Sequence, residues 1–308
     1  MAKRKHKTVK FDSQLLYISP SPEPELVFVP NRDEFEDFAK QETSQGLMGL
    51  AGIQISYQNF RSPNSITILA VGLSGDGITF TLDHLMGQKG LAEVGKRTKA
   101  IMEHTFTWPS VNLGIANSEI IFIDTPGIGH PESSSEMDLQ SLKNIAKYFE
   151  MKQYHPNFVL LIGSLAQPGI ERKRGKFIKF IRMVKETLEN TVLDLINSNV
   201  ILVLTHLAEC IPSVQKDPSE VVTRLGAAVA SALKIENRPP VVVVAENKVG
   251  DYKLKRADGF FVLPNNELYP KNVFEGMMTI AGDHDPVGYN LVNEICKDFE
   301  FLQATQGK

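Results

Sequence analysis

The stretch that most constrains this chain is Ile66-Thr67-Ile68-Leu69-Ala70-Val71-Gly72-Leu73-Ser74-Gly75-Asp76-Gly77-Ile78-Thr79. Its continuous apolar run, rich in β-branched residues, reads as a strand buried on both faces. Glycines then break the run, and Thr79-Phe80-Thr81-Leu82-Asp83-His84-Leu85-Met86 reads as a helix ended by Gly87. A strand, a Gly-x-x-x-x-Gly turn and a hydroxyl residue opening a helix form the outline of a loop that cradles phosphates on backbone N–H groups. Gly72, Ser74, Gly75, Asp76, Gly77, Ile78, Thr79 and Phe80 are then the candidate nucleotide-binding residues, and the Thr79 hydroxyl the candidate Mg²⁺ contact. The lysine that this outline carries between Gly77 and Thr79 is replaced by Ile78.

From residue 65 onward the pattern alternates. Apolar strands are expected at Ile66–Val71, Glu119–Ile123, Phe158–Ile162, Val200–Leu204 and Val241–Ala245. Helices are expected between them at Asp138–Glu150, Lys173–Leu188 and Ser219–Leu233. In the second of these, Phe177, Phe180, Ile181 and Val184 recur at three- and four-residue spacing, which lays an apolar stripe along one helix face. Buried strands alternating with helices predict an α/β, P-loop NTPase-like fold: a mostly parallel sheet with helices on both faces. The expected division is an N-terminal extension over 1–64, a nucleotide-binding domain over 65–250 and a C-terminal extension over 251–308 that closes with a helix at Val287–Leu302. Within the first extension, Ser19–Glu25 is too proline-rich to be helical, Leu26–Val29 is expected as a short edge strand, and 32–39 as a helix capped by Asn31.

Composition excludes several other classes. A net charge of −3 lacks the basic excess of a general nucleic-acid binder. Two cysteines, Cys210 and Cys296, support neither a disulfide framework nor a cysteine-rich zinc site, and fit a reducing, cytoplasmic location. No apolar run is long enough to predict a transmembrane segment. The basic start, Met1–Lys7, has no apolar segment behind it and reads as a solvated tail, with a nuclear-import patch or a site of peripheral membrane contact as the alternatives.

A second signal supports the first. Glu119-Ile120-Ile121-Phe122-Ile123 leads into Asp124-Thr125-Pro126-Gly127, which sets a carboxylate at a strand's C-terminal end, where ligands of open α/β sheets collect. In a nucleoside triphosphatase Asp124 would hold Mg²⁺ opposite the loop hydroxyl, and Gly127 would bring its N–H close to the terminal phosphate. Two later strands end in Thr205-His206-Leu207-Ala208-Glu209 and in Ala245-Glu246-Asn247-Lys248, where a GTPase reads its base. His206, Glu246 and Asn247 are the candidates there.

This order of stations, from about 65 to 250, resembles the septin-like branch of GTPases. It is most similar to the plant avirulence-induced and animal immunity-associated (GIMAP) proteins and to chloroplast outer-envelope import receptors. Asp124-Thr125-Pro126-Gly127 matches the shared motif, Thr205-His206 resembles the pair of the plant and plastid members, and Glu246-Asn247 resembles the pair that helps hold guanine in the plastid receptors. The resemblance implies GTP or GDP with Mg²⁺ as cofactors, and a nucleotide-dependent homodimer whose surface lies near Arg172-Lys173-Arg174-Gly175-Lys176. It also implies a switch threonine that completes the Mg²⁺ ligands. Thr98 is the first candidate, with Thr105 and Thr107 behind it.

The departures shape the functional expectation. Ile78 removes the ammonium that bridges phosphates, for which Lys96, Arg97 and Lys99 are candidate replacements. Ala208 stands in place of the guanine-reading aspartate, with Glu209 able to substitute only if the loop shifts. Ile128 follows Gly127 where Ras-like enzymes orient water with glutamine. Two functions therefore stand first: a guanine-nucleotide-binding protein with slow or dimer-dependent hydrolysis, and a catalytically dead pseudo-GTPase acting as a binding or scaffold module; an ATP-handling enzyme on the same fold, supported only by Ala208, ranks last.

Overall fold

A computed structural model of the chain describes residues 9–11, 14–16, 25–27, 65–86, 98–107, 119–153, 155–189, 191–194, 199–235, 239–246, 255–257, 260–265, 267–282 and 289–297. The N-terminal basic tail, the expected helix over 32–39, Gly87, Lys96, Arg97 and Asn247 lie outside these residues. Three short strands come first: β1 (Val9–Phe11), β2 (Gln14–Leu16) and β3 (Glu25–Val27). β4 (Ser65–Gly72) and α1 (Ile78–Leu85) follow, flanking the glycine-rich loop. Then come β5 (Ile101–Thr107), β6 (Glu119–Asp124), α2 (Ser135–Lys152), β7 (Phe158–Ser164) and α3 (Lys176–Leu188). β8 (Val200–Thr205), α4 (Pro212–Lys216), α5 (Ser219–Leu233) and β9 (Val241–Val244) close the alternating region. Beyond it lie β10 (Lys255–Ala257), β11 (Phe260–Val262), β12 (Leu268–Tyr269), α6 (Lys271–Ala281) and a final helix, α7, over 289–297.

Seven strands form the main sheet in the order β3-β5-β6-β4-β7-β8-β9. β6, β4, β7, β8 and β9 run parallel, while β5 runs antiparallel to both β6 and β3. Burial explains the continuous apolar strands: every residue of β4 and of β8 is buried, as two-sided coverage demands. The predicted stripe of α3 behaves the same way, with Phe177, Phe180, Ile181 and Val184 all in the core, and Leu188 joins them there. The fold class is α/β and P-loop NTPase-like, with a mixed, mostly parallel sheet.

Two differences from the sequence reading concern the edges. β4 and β6 neighbour each other in space but are not consecutive in the chain, because β5 intervenes. Its sequence, Ile-Met-Glu-His-Thr-Phe-Thr, is mostly polar and lacks the apolar run that marked the other strands. The expected edge strand at Leu26–Val29 is found as β3, and it pairs with β5, so the N-terminal extension contributes to the sheet. At the other edge α6 packs on β9, with Gly276 allowing the close approach: a Cβ there would lie 2.8 Å from Val243 Cγ2.

Candidate functional site

Because five strands run parallel, their C-terminal ends and following turns line one edge of the sheet. The glycine-rich loop leaves β4 at the middle of that edge. Gly77 caps α1 with φ 84°, a left-handed conformation that suits glycine. No side chain caps this helix, so its first-turn N–H groups at Ile78, Thr79 and Phe80 remain available for an anion above the loop. The loop is also stitched to the Asp124–Gly127 turn. Ser74 N donates to Ile128 O (2.7 Å) and Ile128 N donates to Gly72 O (3.0 Å). Gly127 is needed for that fit, since a Cβ there would come within 2.7 Å of Ser74 Cα. Ile78 turns its side chain into the core beneath the loop, where it is 6% exposed, so it presents only backbone to the phosphate side.

At the β4–β6 end three predicted residues converge. Thr79 Oγ1 and Thr98 Oγ1 both donate to Asp124 Oδ2, at 2.9 and 3.0 Å, and lie 3.0 Å from each other. Thr98 is therefore the threonine that the structure brings to Asp124. Thr105 and Thr107 sit on β5 instead, paired across from Ile121 and Glu119. Burial pushes the Asp124 carboxyl up to about 6, against the two threonine hydroxyls, which favour its ionised form. Its other oxygen, Oδ1, is buried and accepts no hydrogen bond among the described residues. A hydroxyl that gives its proton to a carboxylate keeps lone pairs for a cation. One buried carboxylate oxygen in need of a partner, beside two such hydroxyls, is a hard-oxygen donor set of the kind Mg²⁺ prefers.

Asp76, inside the loop, is a second buried carboxyl. Burial raises it to about 7, against a backbone N–H from Ser164 and the positive charge of Lys176. Its backbone carbonyl accepts from the Thr205 hydroxyl (2.8 Å), which ties the loop to the end of β8. The same Thr205 oxygen lies 2.8 Å from His206 Nδ1, and His206 adopts a left-handed φ of 61° that turns the chain out of the strand.

At the β8–β9 end, a carboxylate from another element meets the turn that holds Ala208. Glu246, buried just after β9, accepts the backbone N–H of Ala208 through Oε2 (2.6 Å). Glu209, the alternative by sequence adjacency, is exposed in the 3₁₀ turn Leu207–Glu209. Gln215 of α4 fixes the turn further by donating to Ala208 O (2.8 Å) and Cys210 O (2.7 Å). Burial pushes the Cys210 thiol up to about 11, with Glu246 and Glu209 acting in the same direction. Asn272 of α6 supports the end of β9 by donating to Val244 O (2.7 Å).

Sequence reasoning did not single out Lys176, which sat within a basic run. It opens α3, and its ammonium donates to Gly129 O (2.8 Å), two residues past Gly127. Its charge is also felt at Asp76. The signal available was positional: a lysine immediately after Gly175, at the start of the helix that follows the strand beside β4.

No protein-family model matches the chain, and no curated protein matches it. Solved structures do. Toc33 from Arabidopsis thaliana in complex with GDP and Mg²⁺ aligns with a TM-score of 0.52 at 17% identity, covering 82% of this chain and 91% of that one. Toc33 in complex with Mg²⁺ and GMPPNP gives a TM-score of 0.52 at 19% identity, covering 84% and 92%. A dimerization-deficient mutant of Toc33 gives 0.51 at 16%, covering 82% and 92%. The chain shares the α/β, P-loop NTPase-like fold of these structures. The glycine-rich loop, the Asp124 turn and the turns after β8 and β9 all stand along one sheet edge. No helix among the described residues is long and apolar enough to cross a membrane.

Proposed function

We propose that this G domain binds guanine nucleotide, GTP or GDP, together with Mg²⁺, and belongs to the septin-like branch that its motifs resemble. The observation that carries this is the contact of Thr79 and Thr98 with Asp124. These residues come from a helix start, a loop and a strand end separated by up to 45 positions in the chain. A buried carboxylate with two converging hydroxyls has little purpose in a core, and a cation held by phosphate oxygens satisfies it. Toc33 has been solved with GDP and Mg²⁺ and with Mg²⁺ and GMPPNP, which supports the same ligand class here.

In this function the first-turn N–H groups of α1 and the loop backbone bind the phosphates, and Gly127 approaches the terminal phosphoryl group. Thr79, Thr98 and Asp124 hold Mg²⁺, which neutralises phosphate charge. Glu246 presents a carboxylate to the donor edge of guanine, and His206 lies alongside the base, with Asn247 beside Glu246 in sequence. Hydrolysis is slow or depends on a second copy, because Ile78 supplies no charge and Ile128 no water-orienting group. Dimerization is important for the GTPase activity of the chloroplast translocon components Toc33 and Toc159, which supports a nucleotide-dependent homodimer as the assisted form. A pseudo-GTPase module is the second reading, favoured by the apolar burial of Ile78 where an ammonium is expected.

Calorimetric titration with GTP, GDP and ATP in the presence of Mg²⁺ tests the proposal. Saturable binding of GTP and GDP with ATP much weaker is the expected result, and absence of heat at millimolar nucleotide overturns it. Phosphate release measured over rising protein concentration then separates the two readings: turnover that climbs with concentration supports the dimer-assisted GTPase, and none at any concentration supports the pseudo-GTPase.

A further inference from the structure

The glycine-rich loop carries Ile78 where its outline has a lysine, and a lysine from another element bonds the turn packed against that loop. Lys176 begins α3, directly after Gly175, and its stem crosses the turn that follows Gly127. A Cβ added to Gly129 would meet Lys176 Cε at 3.0 Å, Lys176 Nζ at 3.4 Å and the phosphate-loop side chain of Leu73 at 3.5 Å. The ammonium thus lies near both the Asp124 turn and the loop. Gly129 is itself clamped on both sides: its N–H donates to Asp138 Oδ1 (2.9 Å) and its carbonyl accepts from Lys176 (2.8 Å).

We propose that Lys176 supplies from α3 the ammonium missing at Ile78, and that it binds the terminal phosphoryl group of a nucleoside triphosphate. The proposal rests on the guanine-nucleotide function above and adds the residue that discriminates triphosphate from diphosphate.

Three observations support it. The order of the sheet sets the ligand's direction: base-side turns follow β8 and β9, and the metal-side residues follow β4 and β6. A nucleotide laid along this edge ends its phosphate chain near Gly127 and Gly129, where Lys176 is anchored. Next, lysine carries its charge on a flexible four-carbon stem and is exposed, so it can exchange a carbonyl for a phosphoryl oxygen by rotamer change alone. A neutral carbonyl is a weaker partner for an ammonium than a dianionic phosphoryl group. Finally, the loop carries a carboxyl of its own at Asp76, within the field of Lys176. An ammonium there limits the repulsion between Asp76 and an incoming phosphate.

The test is calorimetric titration of the full chain with GMPPNP and with GDP, each with Mg²⁺, for the wild type, Lys176→Gln and Lys176→Arg. Lys176→Gln is expected to weaken GMPPNP at least about 10-fold while changing GDP less than about 2-fold, and Lys176→Arg to recover most of the loss. Because Lys176 is exposed, thermal melting of both variants should match the wild type without nucleotide. An equal loss for the two nucleotides would mark a structural role for Lys176, and no loss for either would leave it without one in binding. Either result overturns the inference while the wild type's own binding leaves the proposed function standing. A wild type that binds neither nucleotide overturns both.

Discussion

At the β4–β6 end of the sheet edge, Thr79, Thr98 and Asp124, all named as candidates from the sequence, touch one another. At the β8–β9 end, the position assigned to a carboxylate holds Ala208, and the carboxylate comes from Glu246 on the next strand's turn. The two regions differ in what each chain position must do. A metal site needs several oxygens at short, fixed distances, so replacing one residue leaves a hole that a neighbour cannot fill without moving the strand end. A single charged group has looser demands, because any side chain that reaches the same point serves. In the proposed function Glu246 would do this for Ala208, and Lys176 would do it for Ile78. Loss of a motif residue would then be a weaker sign of lost function at such a single charge than at the metal.

The largest expected effect lies with the buried carboxyls beside the glycine-rich loop. Asp76 and Asp124 bind protons more tightly in the folded chain than unfolded, since burial raises them to about 7 and about 6. Their contribution is fully favourable below about pH 4 and is lost as pH rises through about 6 to 7. Asp76 accounts for up to about 4 kcal/mol of that loss once fully ionised. Urea melts between about pH 4.5 and 8 should show stability falling with pH in the wild type and a flatter profile in Asp76→Asn. Parallel profiles would contradict the placement of this group.

Next in size is Asp124→Asn. It keeps the volume and an acceptor for the two hydroxyls but removes the charge, and Mg²⁺-dependent affinity for GTP should fall by about 100-fold or more, close to 3 kcal/mol. Retained affinity would mean that Mg²⁺, if bound, sits elsewhere. At the base end, Glu246→Gln can still accept the Ala208 N–H yet loses the carboxylate. Selectivity for GTP over ATP should drop about 10- to 50-fold, and an unchanged ratio in competition titrations would remove Glu246 from base reading. Thr98→Val gives the smallest change, a weakening of about 3- to 10-fold in Mg²⁺ affinity, since one hydroxyl among several donors is lost. It is read by titrating Mg²⁺ at fixed GDP.

Much of this arrangement was legible in the sequence because it depends on local patterns. β4, β6, β7 and β8 declare themselves by continuous apolar runs, and the spacing in α3 states which face is buried. Thr79, Asp124 and Thr98 were readable because motif order fixes which elements meet. What was not legible depends on long-range placement. β5 lacks a two-sided apolar run because it lies toward the sheet's margin, next to β3. Glu246 could be named but not aimed at Ala208, 38 residues away, until the β8–β9 pairing set the two turns side by side. Lys176 looked like one charge in a basic run, and only the folded chain brings it to Gly129, 47 residues earlier.

The central claim is that the metal-side cluster makes this G domain a Mg²⁺-dependent guanine-nucleotide binder despite Ile78. Titrating the wild-type chain with GTP, with Mg²⁺ and then with the metal chelated, tests it most directly. Saturable binding that weakens at least about 10-fold on removing Mg²⁺ is predicted. Binding indifferent to Mg²⁺, or none at millimolar GTP, would contradict it.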